Sequence, residues 1–91
     1  LNTMGRFDEA EAEIKTAIDL EAASALNHRL YGMVLYFARR PDEAIAELER
    51  AVEIDADFRT AYGALVPAHR MKGDDDKAFE WFLKFPPRKA E

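Results

Sequence analysis

Apolar positions recur along this chain at helical spacing, and the stretches between them carry turn residues. From Asp8 to about Leu20, the residues Ala10, Ile14, Ala17 and Ile18 fall on one stripe and Glu9, Glu13 and Asp19 fall elsewhere. That pattern predicts an amphipathic helix preceded by a turn at Gly5. Ser24 is the expected N-cap of the next helix, which ends near Ala38 and is apolar almost all round. Its Leu26, Leu30, Tyr31, Met33, Val34, Leu35, Tyr36 and Phe37 leave only Asn27, His28 and Arg29 polar, so burial from several sides is expected. The turn Arg39-Arg40-Pro41 puts proline at the start of a helix from Asp42 to Ile54, where its missing N–H costs nothing. Asp57 is the expected cap of a helix running to Lys72, and Pro67 inside it predicts a kink, at a cost of about 3 kcal/mol. After Gly73-Asp74-Asp75 a short helix from Asp76 to Lys84 is closed by Pro86 and Pro87.

The elements repeat. Laying residues 7–22 over 41–56, an offset of 34, makes seven of sixteen positions identical, among them Ala10/Ala44, Ala17/Ala51 and Ala22/Ala56. A more worn copy follows at the same spacing, with Asp76, Ala78 and Phe82 under Asp42, Ala44 and Leu48. A fixed period of this length means stacked units that bury a continuous core between neighbours. Arg39 stands where the other copies have Gly5 and Gly73; if that place needs a positive φ, arginine there is strained by about 1 kcal/mol.

The period and the residues at fixed offsets resemble the tetratricopeptide repeat, a helix-turn-helix unit. The middle copy matches with His28, Tyr31, Gly32, Leu35, Ala44, Leu48, Ala51 and Ala56, and the last with Tyr62, Leu65, Val66, His69, Ala78, Phe82 and Phe85. The first keeps Ala10, Ile14, Ala17 and Ala22. The resemblance implies an all-α, right-handed superhelical stack of antiparallel helix hairpins in one domain over residues 1–85. That domain divides into a half repeat at 1–24 and repeats at 25–58 and 59–85, with a tail at 86–91. Only Leu1 to Met4 would remain of the first helix of the first repeat, leaving an apolar face at that end uncovered.

Charge and composition narrow the function. Ninety-one residues suit one modest core. The net charge of −5 is graded, running −4, −3 and +2 over residues 1–25, 26–58 and 59–91, with no basic stripe of the kind that neutralises phosphates, so nucleic acid is not an expected partner. Without cysteine there is neither a disulfide nor a thiolate metal site, which fits the cytoplasm. The uncharged, strongly apolar stretch Leu30 to Ala38 falls far short of the roughly 20 residues that span a bilayer, and no signal peptide is visible.

Catalytic chemistry is sparse. His28 and His69 occupy positions where the family packs aromatic residues between helices, which reads as structural. Asp74-Asp75-Asp76 lacks the ligand spacing of a calcium loop and suits a helix N-terminus. Phe85-Pro86-Pro87-Arg88-Lys89 reads as a helix stop and linker, since it lacks a PxxP core. No cofactor, metal or enzymatic activity is expected.

What remains is surface. In tetratricopeptide arrays the first helix of each repeat lines a concave groove, and the resemblance implies ligand contacts from Leu26, Arg29, Met33, Tyr36 and Phe37 and from Thr60, Gly63, Pro67, Arg70 and Met71. The expected function is therefore a non-enzymatic module that binds an apolar or amphipathic segment of another protein. Met33, Tyr36, Phe37 and Met71 would anchor it, and Arg29 and Arg70 would orient an acidic group. Burying four such side chains contributes about 6–12 kcal/mol gross, which association costs reduce to micromolar affinity. Chaperone-binding members of the family grip a C-terminal carboxylate with Lys, Arg and Asn, but here Leu30, Thr60 and Ala64 stand at three of those places, arguing against a heat-shock chaperone adaptor. The run from Gly73 to Phe82 looks like the last repeat of segments appended to bacterial signalling proteins, so a regulatory piece of a larger protein is one alternative. The other is a homodimer through the terminal faces, with Phe79, Trp81, Leu83 and Phe85 on the last helix.

Overall fold

The computed structural model describes residues 3–87. It consists of α1 (Thr3–Leu20), α2 (Ala25–Phe37), α3 (Pro41–Ile54), α4 (Arg59–Met71) and α5 (Asp75–Leu83), with no strand among the described residues. Each helix packs on the one before it. Helices α2 and α4 begin at 25 and 59 and α3 and α5 at 41 and 75, while α1 and α3 end at 20 and 54, each pair 34 residues apart. The sequence period is thus the structural period, and the chain is an all-α stack of helix hairpins.

Several helix ends follow from single residues. Ser24 accepts a hydrogen bond from the Asn27 N–H, and Asp74 does the same for Lys77, each satisfying an otherwise orphaned donor. Pro41 occupies the first position of α3. Arg39 has φ 64°, matching φ 83° at Gly73, so the turn does require the left-handed region and arginine bears the strain in one copy.

Three expectations are corrected. Gly5 does not make a turn: α1 begins at Thr3 and runs through it, so residues 3 and 4 belong to α1 and not to a remnant of an earlier helix. A single interior glycine costs only about 1 kcal/mol, which the rest of an 18-residue helix overrides. The cap of α4 is Phe58, without a side-chain hydrogen bond, in place of Asp57. Pro67 lies inside α4, which runs on to Met71 as expected of a helix reaching about residue 72. Lastly, α2 is buried on one face only: His28, Tyr31, Gly32 and Leu35 are buried, whereas Leu26, Leu30 and Phe37 are exposed.

The core is a line of small residues and leucines along the helix seams. Tyr31, Leu35 and Ala44 form one cluster, against which Ile14 and Ile18 bring α1. Ile45, Leu48, Leu65 and Ala68 form the next, against which Trp81 brings α5, and Tyr36 packs on both. Gly32 sets the closest approach: a β-carbon there would lie 2.6 Å from Leu48 Cγ and 3.3 Å from the Ala44 carbonyl oxygen. Because Leu48 has no exposed surface, it cannot swing aside.

Polar residues tie the seams at their edges. Tyr31 donates to Glu11 Oε2 at 2.8 Å, and Arg40 bridges Glu11 and Glu43, joining α1 to the start of α3. The hydrogen bonds from Tyr31 and Arg40 hold the Glu11 carboxyl below its usual pKa, while burial, reinforced by the Glu11 contact, raises that of Tyr31. His28 is buried and satisfied, 2.8 Å from Glu47 Oε1 and 2.9 Å from the Ala22 carbonyl oxygen, as a packing histidine should be.

His69 differs. It is buried at the place that Leu35 fills one repeat earlier, and neither ring nitrogen has a hydrogen-bond partner among the described residues. Burial lowers its pKa from the ordinary 6.5, opposed by Asp74 and Glu49. The folded state therefore binds the proton less tightly than the unfolded chain. Its contribution to stability is complete above about pH 6.5 and is lost as the pH falls through the depressed folded pKa.

Two outcomes follow. Gly32→Ala is expected to lower stability by about 1–2 kcal/mol, overpacking outweighing the better helix propensity, and urea midpoints measure it. His69→Leu is expected to raise stability by about 1–2 kcal/mol, because the orphaned nitrogens disappear. Thermal melts of His69→Leu between pH 7.5 and 5 should also lose part of the acid-side decline seen in the parent chain.

Candidate functional site

The C-terminal ends of α2 and α4 run side by side, and a cleft opens between them. Tyr36, Arg39, Pro67, Arg70, Met71 and Asp75 line a hollow of about 520 Å³, and Phe37 adjoins it beside Tyr36, Arg39 and Met71. The walls come from three sources: helix faces supply Tyr36, Phe37, Arg70 and Met71, the strained turn supplies Arg39, and the N-terminus of α5 supplies Asp75. Neither Arg39 nor Arg70 has an ion pair among the described residues, whereas Arg40, one residue along, is held by Glu11 and Glu43. The cleft therefore pairs an apolar floor with two cations and a single carboxylate.

Tyr36 and Phe37 differ in kind. Their rings meet edge to face with centroids 5.4 Å apart, but Tyr36 is partly buried between the two core clusters while Phe37 is 59% exposed. Phe37 is thus a surface residue, and Tyr36 serves the core as well as the cleft.

The other groove positions lie elsewhere. Arg29 extends its guanidinium over the Phe58 ring, 5.7 Å from the centroid, with its Nε buried and lacking a hydrogen-bond partner. Leu26 and Thr60 are exposed near the N-terminal ends of α2 and α4, and Met33 is partly covered. Gly63 faces Phe85, whose Cζ would lie 3.4 Å from a β-carbon there. The structure brings Tyr36, Phe37, Pro67, Arg70 and Met71 together, and leaves Leu26, Arg29, Met33 and Thr60 outside this cleft. It adds Arg39 and Asp75, which a rule about positions on first helices does not reach. The signal for Arg39 was present in its alignment with Gly73, which marks a turn that aims its side chain outward.

The aromatic residues of the last segment also divide. Trp81 packs on the core and against Tyr62, with centroids 5.8 Å apart, while Lys84 lies 4.6 Å from the Trp81 ring centroid. Phe85 folds back onto Tyr62 and Gly63 beneath Arg59, which donates to the Pro86 carbonyl. Phe79, Phe82 and Leu83 face outward, 61%, 59% and 65% exposed. Phe82, whose place on the exposed face was not foreseen, joins Phe79 in a stacked pair with centroids 6.4 Å apart.

Among the described residues no group of three or more histidines and carboxylates is placed to hold a metal, and no helix is long and apolar enough to cross a membrane. A stack of hairpins bearing a mixed apolar and cationic cleft belongs to the class of helical-repeat binding scaffolds.

The particular family follows from comparison with known proteins. The tetratricopeptide repeat family pattern matches residues 1–80, and the chain belongs to that family. It is 32% identical over 73 residues to Hsc70-interacting protein 1 of Drosophila melanogaster, covering 80% of this chain and 19% of that protein. It is 37% identical over 73 residues to the Hsp70-Hsp90 organizing protein of Triticum aestivum, covering 77% and 12% respectively. Among solved structures it resembles the crystal structure of MamA protein, with a TM-score of 0.84 and 27% identity over 90% of this chain and 45% of that one. The chain thus spans less than a fifth of these curated relatives and under half of that solved chain.

Arg39 carries strain and charge at one position, and the two can be separated. Arg39→Gly is expected to stabilise the fold by about 1 kcal/mol while removing a cation from the cleft, as chemical denaturation will measure.

Proposed function

We propose that this chain is a non-enzymatic protein-interaction module whose cleft binds a short segment bearing an aromatic or aliphatic side chain next to a carboxylate. One observation carries the reading: Arg39 and Arg70, without ion pairs among the described residues, flank the apolar surface of Phe37, Tyr36 and Met71. An acidic group on the ligand would find charge-assisted hydrogen bonds there, and its apolar neighbour would cover Phe37. Family membership supports the general role of protein binding.

The affinity is modest. Phe37 and part of Met71 are the apolar surfaces still open to burial, contributing about 2–4 kcal/mol, so the arginines must supply much of the remainder. Binding of that kind weakens with salt. The names of the curated relatives point to Hsp70-class and Hsp90 chaperones as their partners. In this chain Leu30, Thr60 and Ala64 replace three residues of the family's carboxylate clamp. A chaperone tail would therefore have to use the cationic pair Arg39 and Arg70 at the opposite end of the helices.

Selection from a random peptide library displayed on phage tests the reading. Enriched peptides are expected to combine Asp or Glu with an aromatic or aliphatic residue. Their affinity should fall at least about tenfold in the Arg39→Glu, Arg70→Glu double variant while the fold is retained, two charge-assisted contacts being worth that much. Enrichment without acidic residues, or affinity unmoved by the double variant, would overturn it.

A further inference from the structure

We infer, building on the cleft reading proposed above, that Glu11 of α1 is a positioning residue for the cleft cation Arg39. Acting through Arg40, it holds the strained turn in the conformation that places the Arg39 side chain in the cleft. The two turns of the array show why a holder is needed. After α2 the N–H groups of Arg39 and Arg40 donate to the carbonyls of Tyr36 and Leu35 at 3.0 and 2.9 Å. After α4 those of Gly73 and Asp74 donate to Arg70 and His69 at the same two distances. The backbones are alike, with φ 64° at Arg39 and 83° at Gly73, but the residues are not. Gly73 bears no β-carbon to strain, and Asp74 fixes the start of α5 by accepting from the Lys77 N–H at 3.1 Å. Arg39 does bear the strain, and Arg40, at the cap position of α3, has no acceptor with which to cap it. The costlier turn is thus the one without a cap.

The Arg40 side chain supplies what the cap does not. Its Nε donates to Glu43 Oε1 at 2.8 Å and its Nη1 to Glu11 Oε1 at 3.0 Å, so one planar guanidinium is gripped from α3 and from α1. Glu43 is 55% exposed and only three residues along the chain, so its bond to Arg40 travels with the turn. Glu11 comes from another helix and is itself fixed. Its side chain is 13% exposed, Tyr31 donates to its second oxygen at 2.8 Å, and Lys15 lies 3.6 Å away. It is therefore the anchor from outside the turn. With Arg40 held there, the preceding residue is delivered beside Tyr36, Phe37 and Met71, although Glu11 lines no part of the cleft.

Glu11→Gln in the whole chain is the test, because the amide keeps the shape and can still accept from Tyr31 while the charge that holds Arg40 is gone. Arg40→Ala, which removes the other half of the contact at a half-exposed site, is the second variant. Without ligand, nuclear magnetic resonance of the parent chain should show the strong intraresidue HN–Hα Overhauser effect of a positive φ at Arg39. In both variants that effect should weaken and exchange broadening should appear at residues 39 and 40, while the amides of the core seam stay as they were. The probe peptide is acetyl-Gly-Phe-Glu-Leu-Gly amide, titrated at low salt. Glu11→Gln should weaken its binding about two- to fivefold, as the fraction of chains with Arg39 in place falls. In an Arg39→Gly background the same substitution should change nothing, which a general loss of structure would not reproduce. Unchanged Arg39 signals in both variants overturn the inference whatever the affinity does, and so does an equal loss of affinity in the Arg39→Gly background. If the Arg39→Glu, Arg70→Glu double variant leaves the affinity for this peptide unmoved, it is the cleft reading that falls, and the ligand-free signals alone decide whether Glu11 holds the turn.

Discussion

The structure depends on how closely neighbouring helices can lie. At the centre of the chain Leu48 fills the space over Gly32, with Ala44 beside it, and every later contact inherits its position from that seam. Small residues on one helix and a leucine on the next let backbones approach and leave no gap to fill. Because the arrangement recurs through Ala61, Ala68 and Ala78, each hairpin receives the next at a fixed offset. The cleft between α2 and α4 is a product of this geometry. Two helix ends brought together by the seam hold Tyr36 and Phe37 against Pro67 and Met71, and the turns beyond them add Arg39 and Asp75.

Two features of the cleft are places where the packing logic is broken. Arg39 occupies a backbone conformation that suits glycine, and the strain presents its guanidinium at the cleft mouth. Tyr36 is shared between the core and the cleft, so the ring that would meet a ligand also holds the two hairpins in register. A substitution at Tyr36 would therefore alter core and cleft together, while one at Phe37 would alter the cleft alone.

Much of the architecture was legible because its cause is local. The 34-residue period, Ser24 as a cap, Pro41 at a helix start and the paired turn at Arg39 and Gly73 each depend on a few adjacent residues. What was not legible depends on which neighbours exist. A helical wheel places the apolar side chains of α5 on one broad arc but says nothing of how α4 divides it. Trp81 and Phe85 turn inward while Phe79 and Phe82 do not. The near-continuous apolar run of α2 suggested burial from several sides, yet only two helices flank it closely, so Leu26 and Phe37 remain outside. Gly5 looked like a turn because the aligned Gly73 is one; in a long helix the same residue is simply absorbed. The cleft was half visible, since Tyr36, Phe37, Arg70 and Met71 follow from family positions whereas Arg39 and Asp75 come from turns.

In an array whose stability is summed over nearest neighbours, each hairpin contributes what its own helices allow. The hairpin of α4 and α5 has a histidine in place of a leucine, a proline within its first helix and a second helix of nine residues against fourteen in the unit before. Each of these weakens it relative to its neighbour. A contact made there would do more than add surface: it would tighten the weaker hairpin, and the energy of that tightening is set by how unstable the hairpin is when alone.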